Sequence, residues 1–235
     1  MNKRTLIIII SIVAVLALSV GGIYVYKKNL IPFGKKPVAE VLTPESLLSS
    51  FVIKNPNLTA EQAQLFQQRF DEAKKNLQTT PDDFNSWLYV GVLKKGVGDY
   101  EGARDIFIYA GQIRPQSSTP FGNLADLYAN FLNEPQKGLQ AIKTAIANDP
   151  NDYNFYLTMA EIYRYRLPGQ ESMYETVMLD AMQKFPDNPN LVGPLALYYK
   201  QTNQVKKAIV QYEKLVILSP ENQAAKEDLA ELKQK

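Results

Sequence analysis

The sequence contains neither cysteine nor histidine among its 235 residues. Without cysteine the chain has no thiol nucleophile and no disulfide, and without either residue it has no Cys/His zinc site. A Ser-His-Asp triad is also excluded, so catalysis would depend on Asp, Glu, Lys, Ser or Tyr. No arrangement of these residues in the sequence matches a known catalytic motif. We therefore expect a protein that is not an enzyme and that uses no cofactor or metal.

A strong excess of one charge is also missing, because 26 Lys and Arg residues accompany 24 Asp and Glu residues. The charges are unevenly placed along the chain. Residues 1–36 contain six basic residues and no acidic one, whereas the rest contains 20 basic and 24 acidic residues. Nucleic-acid binding needs a concentrated basic surface. The mildly acidic body of the chain therefore predicts no nucleic-acid partner.

A long hydrophobic run is present only at the N-terminus, where residues 5–26 read TLIIIISIVAVLALSVGGIYVY without a charge. About 20 such residues cross a hydrocarbon core of about 30 Å as an α-helix. Tyr24 and Tyr26 suit the membrane interface, and Lys27 and Lys28 can extend into the headgroups. We predict a single-pass membrane anchor.

A cleaved signal peptide is the alternative for this segment. Ser19-Val20-Gly21 offers a small-residue cleavage site, but the apolar run continues beyond it to Tyr26. Basic residues flank both ends, so the positive-inside rule does not decide the orientation. A very short N-terminal tail is common in signal anchors whose C-terminus is exported, and we expect the rest of the chain on the extracytoplasmic side.

Five prolines mark an internal repeat. They are spaced by 34, 35, 36 and 34 residues, and they are Pro81, Pro115, Pro150, Pro186 and Pro220. A polar cluster follows each proline, as in PDD and PND, and such clusters cap the first backbone N–H groups of a helix. Each proline with its polar cluster is therefore predicted to mark the end of one helix and the start of the next.

Small and large residues recur in step between the prolines. The four sets are Gly91, Ala103, Phe107, Ala110; Ala125, Gly138, Ile142, Ala145; Ala160, Tyr174, Met178, Ala181; and Ala196, Ala208, Tyr212, Leu215. The last three members of each set keep the same spacing, and the first gap varies. The extra residues fall near 133–135 and 167–169. Insertions confined to one turn are typical of helix–turn–helix units.

This pattern resembles the tetratricopeptide repeat (TPR) family. The most similar unit has Trp87 four residues before Gly91, then Gly98-Asp99-Tyr100, and later Phe107. In such a unit the small residue lets the second helix approach, and the aromatic residue fills the space beside it. The resemblance covers residues 84–222 and implies an all-α fold, an α-solenoid of helix–turn–helix repeats that follows the N-terminal transmembrane helix.

The predicted organisation has eight parts. They are the anchor (1–26), a basic, proline-containing linker (27–43), N-terminal helices forming a cap or degenerate repeat (44–83), four repeats (84–117, 118–152, 153–188 and 189–222) and a C-terminal capping helix (223–235). Within the N-terminal part, we expect a short helix over residues 44–53 and a long one from Thr59 to Leu77.

The resemblance also implies that the first helices of successive units line a concave groove that binds a protein or peptide. The groove-facing residues would be Leu88, Val92, Lys95, Asp126, Asn130, Leu157, Glu161, Arg164, Tyr165, Leu197, Lys200 and Gln201. Exposed apolar residues mixed with Arg, Lys and Tyr suit an extended or helical ligand. Some TPR proteins bind the C-terminal carboxylate of chaperones with a clamp of Lys, Asn and Arg. Leu88 and Val92 stand at the corresponding positions here, so a chaperone C-terminus is not expected as the ligand.

A structural role is the alternative function. Leu47, Leu48, Phe51 and Val52 form an apolar stripe that can fill the groove from within the chain. The repeats would then serve as a spacer or a self-associating module, and a homo-oligomer would be expected. Deletion of residues 43–54 separates the two hypotheses, because an internal occupant would leave apolar surface exposed when it is removed.

Overall fold

The structure is a computed structural model that describes residues 42–234, and within this range it contains eleven α-helices and no β-strand. In chain order the helices are α1 Pro44–Leu47, α2 Ala60–Thr79, α3 Phe84–Gly96, α4 Tyr100–Ile113, α5 Thr119–Asn130, α6 Pro135–Asn148, α7 Tyr153–Arg166, α8 Met173–Lys184, α9 Pro189–Gln201, α10 Val205–Leu218 and α11 Gln223–Lys233. No helix in this range is long and apolar enough to cross a membrane. The predicted anchor at residues 5–26 lies outside the described residues.

The prolines of the repeat end five helices at the same point. Helices α2, α4, α6, α8 and α10 each stop two residues before a proline. The residue directly before each proline has φ between −138° and −126° and ψ between 66° and 88°. A proline disfavours the α conformation in the preceding residue. The spacing of the five prolines in the sequence therefore sets the length of each repeat in the structure.

A residue with positive φ turns the chain between the two helices of each repeat. The four residues are Gly98, Asn133, Gly169 and Asn203. Glycine and asparagine adopt this left-handed conformation most readily at helix C-termini. The turns themselves are residues 97–99, 131–134, 167–172 and 202–204. The two longer turns are those in which the sequence predicted the extra residues.

Side-chain caps begin most of the first helices, as the polar clusters predicted. Asp83, Asp152 and Asn188 each accept a hydrogen bond from the backbone N–H two residues later, and Asn222 accepts one from Ala225. Ser118 makes no side-chain cap at the start of α5. A cap of this kind stabilises a helix by about 1 kcal/mol.

Each helix from α2 to α11 packs against the next one along the chain, which gives a one-dimensional stack of helical hairpins. Gly91 in α3 faces Phe107 in α4, and a Cβ atom added to Gly91 would lie 2.5 Å from Phe107 Cε1. Both residues are buried. The indole N–H of buried Trp87 donates to the Pro81 carbonyl at 2.8 Å. The predicted fit of a small residue against an aromatic one is confirmed in this repeat.

The N-terminal segment differs from the predicted helix over residues 44–53. Only Pro44–Leu47 is helical, and the chain then runs without regular secondary structure to α2. Leu47 and Leu48 are buried in the core between α2, α3 and α4, and the ring of Phe51 stacks on Phe70 at 4.5 Å. The non-helical path after Leu48 thus places Phe51 against the same core as Leu47 and Leu48.

Buried charges fix the end of this segment to the first repeat. Lys94 and Asp99 are 4% and 7% exposed, and Lys94 Nζ donates to Asp99 at 3.1 Å and to the Ser50 carbonyl at 2.9 Å. Lys54 pairs with the other Asp99 oxygen at 2.9 Å, and its backbone N–H donates to Val97. Burial opposes ionisation of Asp99, but both lysines outweigh it and hold its pKa below the ordinary value.

Candidate protein-binding face

All twelve residues predicted to line the groove lie on the first helices α3, α5, α7 and α9. We call the exposed surface of these four helices the first-helix face. Three of the predicted apolar residues are open to solvent: Val92 is 50% exposed, Tyr165 61% and Leu197 44%. Leu157 is half-buried. Leu88 is half-buried too, and it packs against the N-terminal core, so its predicted role in contacting a ligand is only partly compatible with the structure.

The polar residues at the start of the face bind one another across repeats. Lys95 of α3 forms an ion pair with Asp126 of α5. The side-chain amide of Asn130 donates through Nδ2 to Asp126 at 2.7 Å and accepts through Oδ1 from Arg166 of α7 at 2.9 Å. Because these contacts join three successive repeats, residues predicted to contact a ligand also hold the repeats in register.

A second set of polar contacts joins the last repeat to the capping helix. Lys200 Nζ donates to Asp228 at 2.7 Å and to Glu231 at 2.8 Å, and these bonds raise the pKa of Lys200. The Tyr212 hydroxyl donates to the other oxygen of Asp228 at 2.6 Å. Burial and this bond raise the pKa of Tyr212, so the phenol stays a donor at neutral pH. Lys200 is thus a structural residue in this arrangement.

Arg164 occupies an aromatic environment between the third and fourth repeats. Its guanidinium lies 4.9 Å from the ring of Tyr165, 4.8 Å from Tyr174 and 4.9 Å from Tyr198, and it also donates to Gln201. Cation–π contacts of this kind are worth about 0.5–2 kcal/mol each. Burial raises the pKa of Tyr174 to about 12. Tyr174, which replaces a small residue of the repeat, is therefore buried between Arg164 and the ring of Tyr198.

Glu161 differs from the other charged residues of the face. Its carboxylate makes no hydrogen bond or ion pair with any part of residues 42–234, although Arg164 lies near enough to attract it. Desolvation by the surrounding atoms outweighs this attraction and raises the pKa of Glu161. The carboxylate opens into a pocket of about 250 Å³. The pocket is lined by Asn130, Thr158, Glu161, Ile162, Tyr165 and Arg166.

Four residues on or beside the face also bear on ligand contact and were not among those predicted. Tyr89 and Phe131 are exposed aromatic residues, and Thr158 and Arg166 line the pocket beside Glu161. Tyr89 and Thr158 each lie three residues before a predicted position, on the same helical face, so the helical period alone could have found them. Phe131 follows the last residue of α5 and is positioned by contact with Tyr100, which no local pattern indicates.

Comparison with known proteins identifies the fold. No model of a protein family matches the sequence, and no curated protein matches it. Solved structures do match. The crystal structure of MamA has a TM-score of 0.55 and 15% identity over 70% of this chain and 96% of that chain. YrrB, a TPR protein with an unusual peptide-binding site, has a TM-score of 0.51 and 11% identity over 68% of this chain and 81% of that one.

A third similar structure is TTC0263, a thermophilic TPR protein of Thermus thermophilus. It has a TM-score of 0.51 and 16% identity, and the match covers 73% of this chain and 97% of that chain. The helical hairpins of residues 84–222 thus form a TPR-type α-solenoid, as the sequence pattern predicted. At these identities the likeness concerns the fold.

Proposed function

We propose that the chain is a membrane-tethered scaffold that binds a segment of another protein along the first-helix face and catalyses no reaction. The observation that carries the proposal is the exposure of apolar side chains along this face. Val92 lies on α3, Tyr165 on α7 and Leu197 on α9, and the charged residues Lys95, Arg164 and Lys200 lie on the same three helices. Exposed apolar residues with a polar surround are typical of protein-binding surfaces.

The contacts between repeats support the same proposal. Lys95 with Asp126 and Arg164 with Gln201 fix neighbouring first helices relative to each other, and Lys200 with Glu231 fixes α9 against the capping helix α11. A face held in this way loses little conformational entropy when a ligand binds, which favours affinity. YrrB, which shares the fold, is a TPR protein with a peptide-binding site, and this supports an elongated segment as the ligand.

The membrane tether in this proposal rests on the uncharged run of residues 5–26. Tethering would raise the local concentration of the scaffold at the bilayer without any new contact. Extraction of cell membranes with alkaline carbonate tests it: the full chain should stay in the pellet, and a chain without residues 1–26 should be released. Release of the full chain would contradict the tether. Reporter fusions at the C-terminus test whether the repeats lie on the extracytoplasmic side.

Paired substitutions test the binding face. In pull-downs from detergent-solubilised membranes, Val92→Ser with Leu197→Ser should remove the partners that the natural chain recovers. The matched control is Val210→Ser with Ile217→Ser, which changes two exposed apolar residues of α10 and should leave recovery unchanged. Equal recovery by the natural chain and the first variant would contradict the proposal.

A self-associating module is the second candidate. Val210 and Ile217 are 58% and 77% exposed and lie seven residues apart on one side of α10, which favours contact with a second apolar surface. For the form of this hypothesis in which residues 47–52 fill the groove, Leu47 and Leu48 lie in the core that α2, α3 and α4 form, and Leu88 of the predicted groove packs against that core. Sedimentation velocity tests self-association: only the α10 variant should lose an oligomer if this candidate holds.

A further inference from the structure

One ion pair recurs at the same spacing in two places, once between α3 and α5 on the first-helix face and once between α9 and the capping helix α11. Its cation stands four residues after Gly91 or Ala196, and its acid stands one residue after Ala125 or, in the capping helix, after Ala230. Lys95 and Asp126 form one such pair, and Lys200 and Glu231 form the other. In each case 31 residues separate the partners. The same two positions hold Ala129 and Glu161 in one interval and Arg164 and Leu197 in another, so the pair forms at two of the four corresponding places.

Glu161 is the acid of a third pair whose cation is missing. It stands one residue after Ala160, the small residue of the third repeat, as Asp126 stands after Ala125. The corresponding cation position in the second repeat, four residues after Ala125, is the buried Ala129. Two arginines lie near this carboxylate without pairing with it: Arg164 is held by Gln201 and three tyrosine rings, and Arg166, which lines the same pocket, donates to Asn130. The structure thus leaves a carboxylate in a position built for an ion pair.

The pocket beside Glu161 has the shape and chemistry to supply the rest of a cation site. Its volume is about 250 Å³, and the Thr158 hydroxyl that lines it has no hydrogen-bond partner within residues 42–234. Ile162 and the ring of Tyr165 give it apolar walls. Lysine and arginine side chains place a charged end on an apolar stem, which suits such a combination.

We propose that this pocket binds a lysine or arginine side chain of the partner segment. Its charged end would pair with Glu161 and donate to Thr158, while its methylene groups would pack on Ile162 and Tyr165. The cation of the partner would then replace the one that Lys95 and Lys200 supply elsewhere on the face. This assignment rests on the proposed function, since the side chain must belong to a segment that lies along the first-helix face.

Selection from a phage-displayed library of random twelve-residue peptides on the full chain in detergent micelles tests the assignment. Peptides whose binding requires Val92 and Leu197 should share a lysine or arginine. Glu161→Gln should weaken these peptides about tenfold, in the range for a charge pair at a partly exposed interface. The control Asp180→Asn, which removes an exposed carboxylate on α8, should leave affinity unchanged.

Two further measurements sharpen the test. Binding of the natural chain to a selected peptide should lower the pKa of Glu161, followed by carboxyl NMR, and replacing the basic residue of the peptide by alanine should abolish this shift. Glu161→Lys should reject the selected peptide and accept one in which the basic residue is replaced by glutamate.

The contradicting results separate the two proposals. Peptides that require Val92 and Leu197 but tolerate Glu161→Gln, or that carry an acidic residue in place of a basic one, overturn the pocket assignment and leave the proposed function standing. A selection that yields no peptide dependent on Val92 and Leu197 overturns both.

Discussion

Replacing Gly91 by alanine should lower the free energy of unfolding by about 1 kcal/mol, although alanine is the better helix former. Helix propensity favours the change by about 1 kcal/mol. However, the new Cβ would lie 2.5, 2.8 and 2.9 Å from three ring carbons of Phe107, a ring with no solvent exposure. Overpacking of a filled core costs about 1–3 kcal/mol, which exceeds the gain.

A second substitution shows whether Phe107 is the cause. The next repeat pairs Ala125 with Ile142 at the corresponding positions. Phe107→Ile alone should destabilise the chain by about 1–3 kcal/mol because it leaves a cavity. In the double variant Gly91→Ala with Phe107→Ile, the clash is absent, so the variant should be no less stable than Phe107→Ile alone, with a coupling energy of about 1–2 kcal/mol.

Urea unfolding of the full chain in detergent micelles, followed by far-ultraviolet circular dichroism, measures the four free energies of this cycle. A Gly91→Ala variant that is as stable as the natural chain, or two substitutions whose effects simply add, would refute the reasoning.

The remaining predictions concern the N-terminal segment. Asp99→Asn should cost about 2–3 kcal/mol, since it leaves Lys94 buried without its counter-charge, and native-state hydrogen exchange at Lys54 and Asn55 should report the loss. The pKa of Asp99 is lower in the folded chain than in the unfolded chain, where it is about 3.9. The ionised carboxylate therefore adds to the free energy of unfolding above the unfolded pKa, and this contribution is lost as pH falls through the folded pKa. Acid unfolding should show this loss in the natural chain and not in Asp99→Asn. Leu48→Ala should cost about 2–4 kcal/mol in urea unfolding because Leu48 is buried, and an equal loss from truncating the exposed Val52 would contradict this packing.

Local signals in the sequence were sufficient for the helices and turns of the repeats. Pro115 and its counterparts restrict the residue before them, and Asn133 and Gly169 mark the longer turns, so each feature acts on its own neighbourhood. The same holds for α2, which begins after the predicted Thr59 and ends at Thr79, two residues beyond Leu77. These elements follow from short-range physical rules.

The N-terminal segment could not be predicted in this way. Its path depends on Ser50 meeting Lys94, 44 residues later, and on Lys54 meeting Glu101, 47 residues later. An apolar stripe at Leu47 and Leu48 indicates burial, but it does not say which surface covers it. The sequence therefore indicated a docked segment, while the structure located it between α2 and α4.

The candidate face was predicted more successfully by position than by role. Its residues lie on the expected helices, but Lys95 and Lys200 contact acids of the next unit. Periodicity within one helix cannot reveal such pairs, because they join residues 31 positions apart. Comparison of aligned repeats would have shown them, and it would also have shown that Ala129 leaves Glu161 without a cation.

Site-specific photo-crosslinking in intact membranes tests the central claim most directly. Benzoylphenylalanine would replace Val92, Leu197 or, as the control, Val210, all of which are exposed apolar positions. The account predicts that Val92 and Leu197 on the first-helix face crosslink to the same partner protein and that Val210 on α10 does not. A partner crosslinked only from Val210, or with equal yield from all three positions, would contradict it.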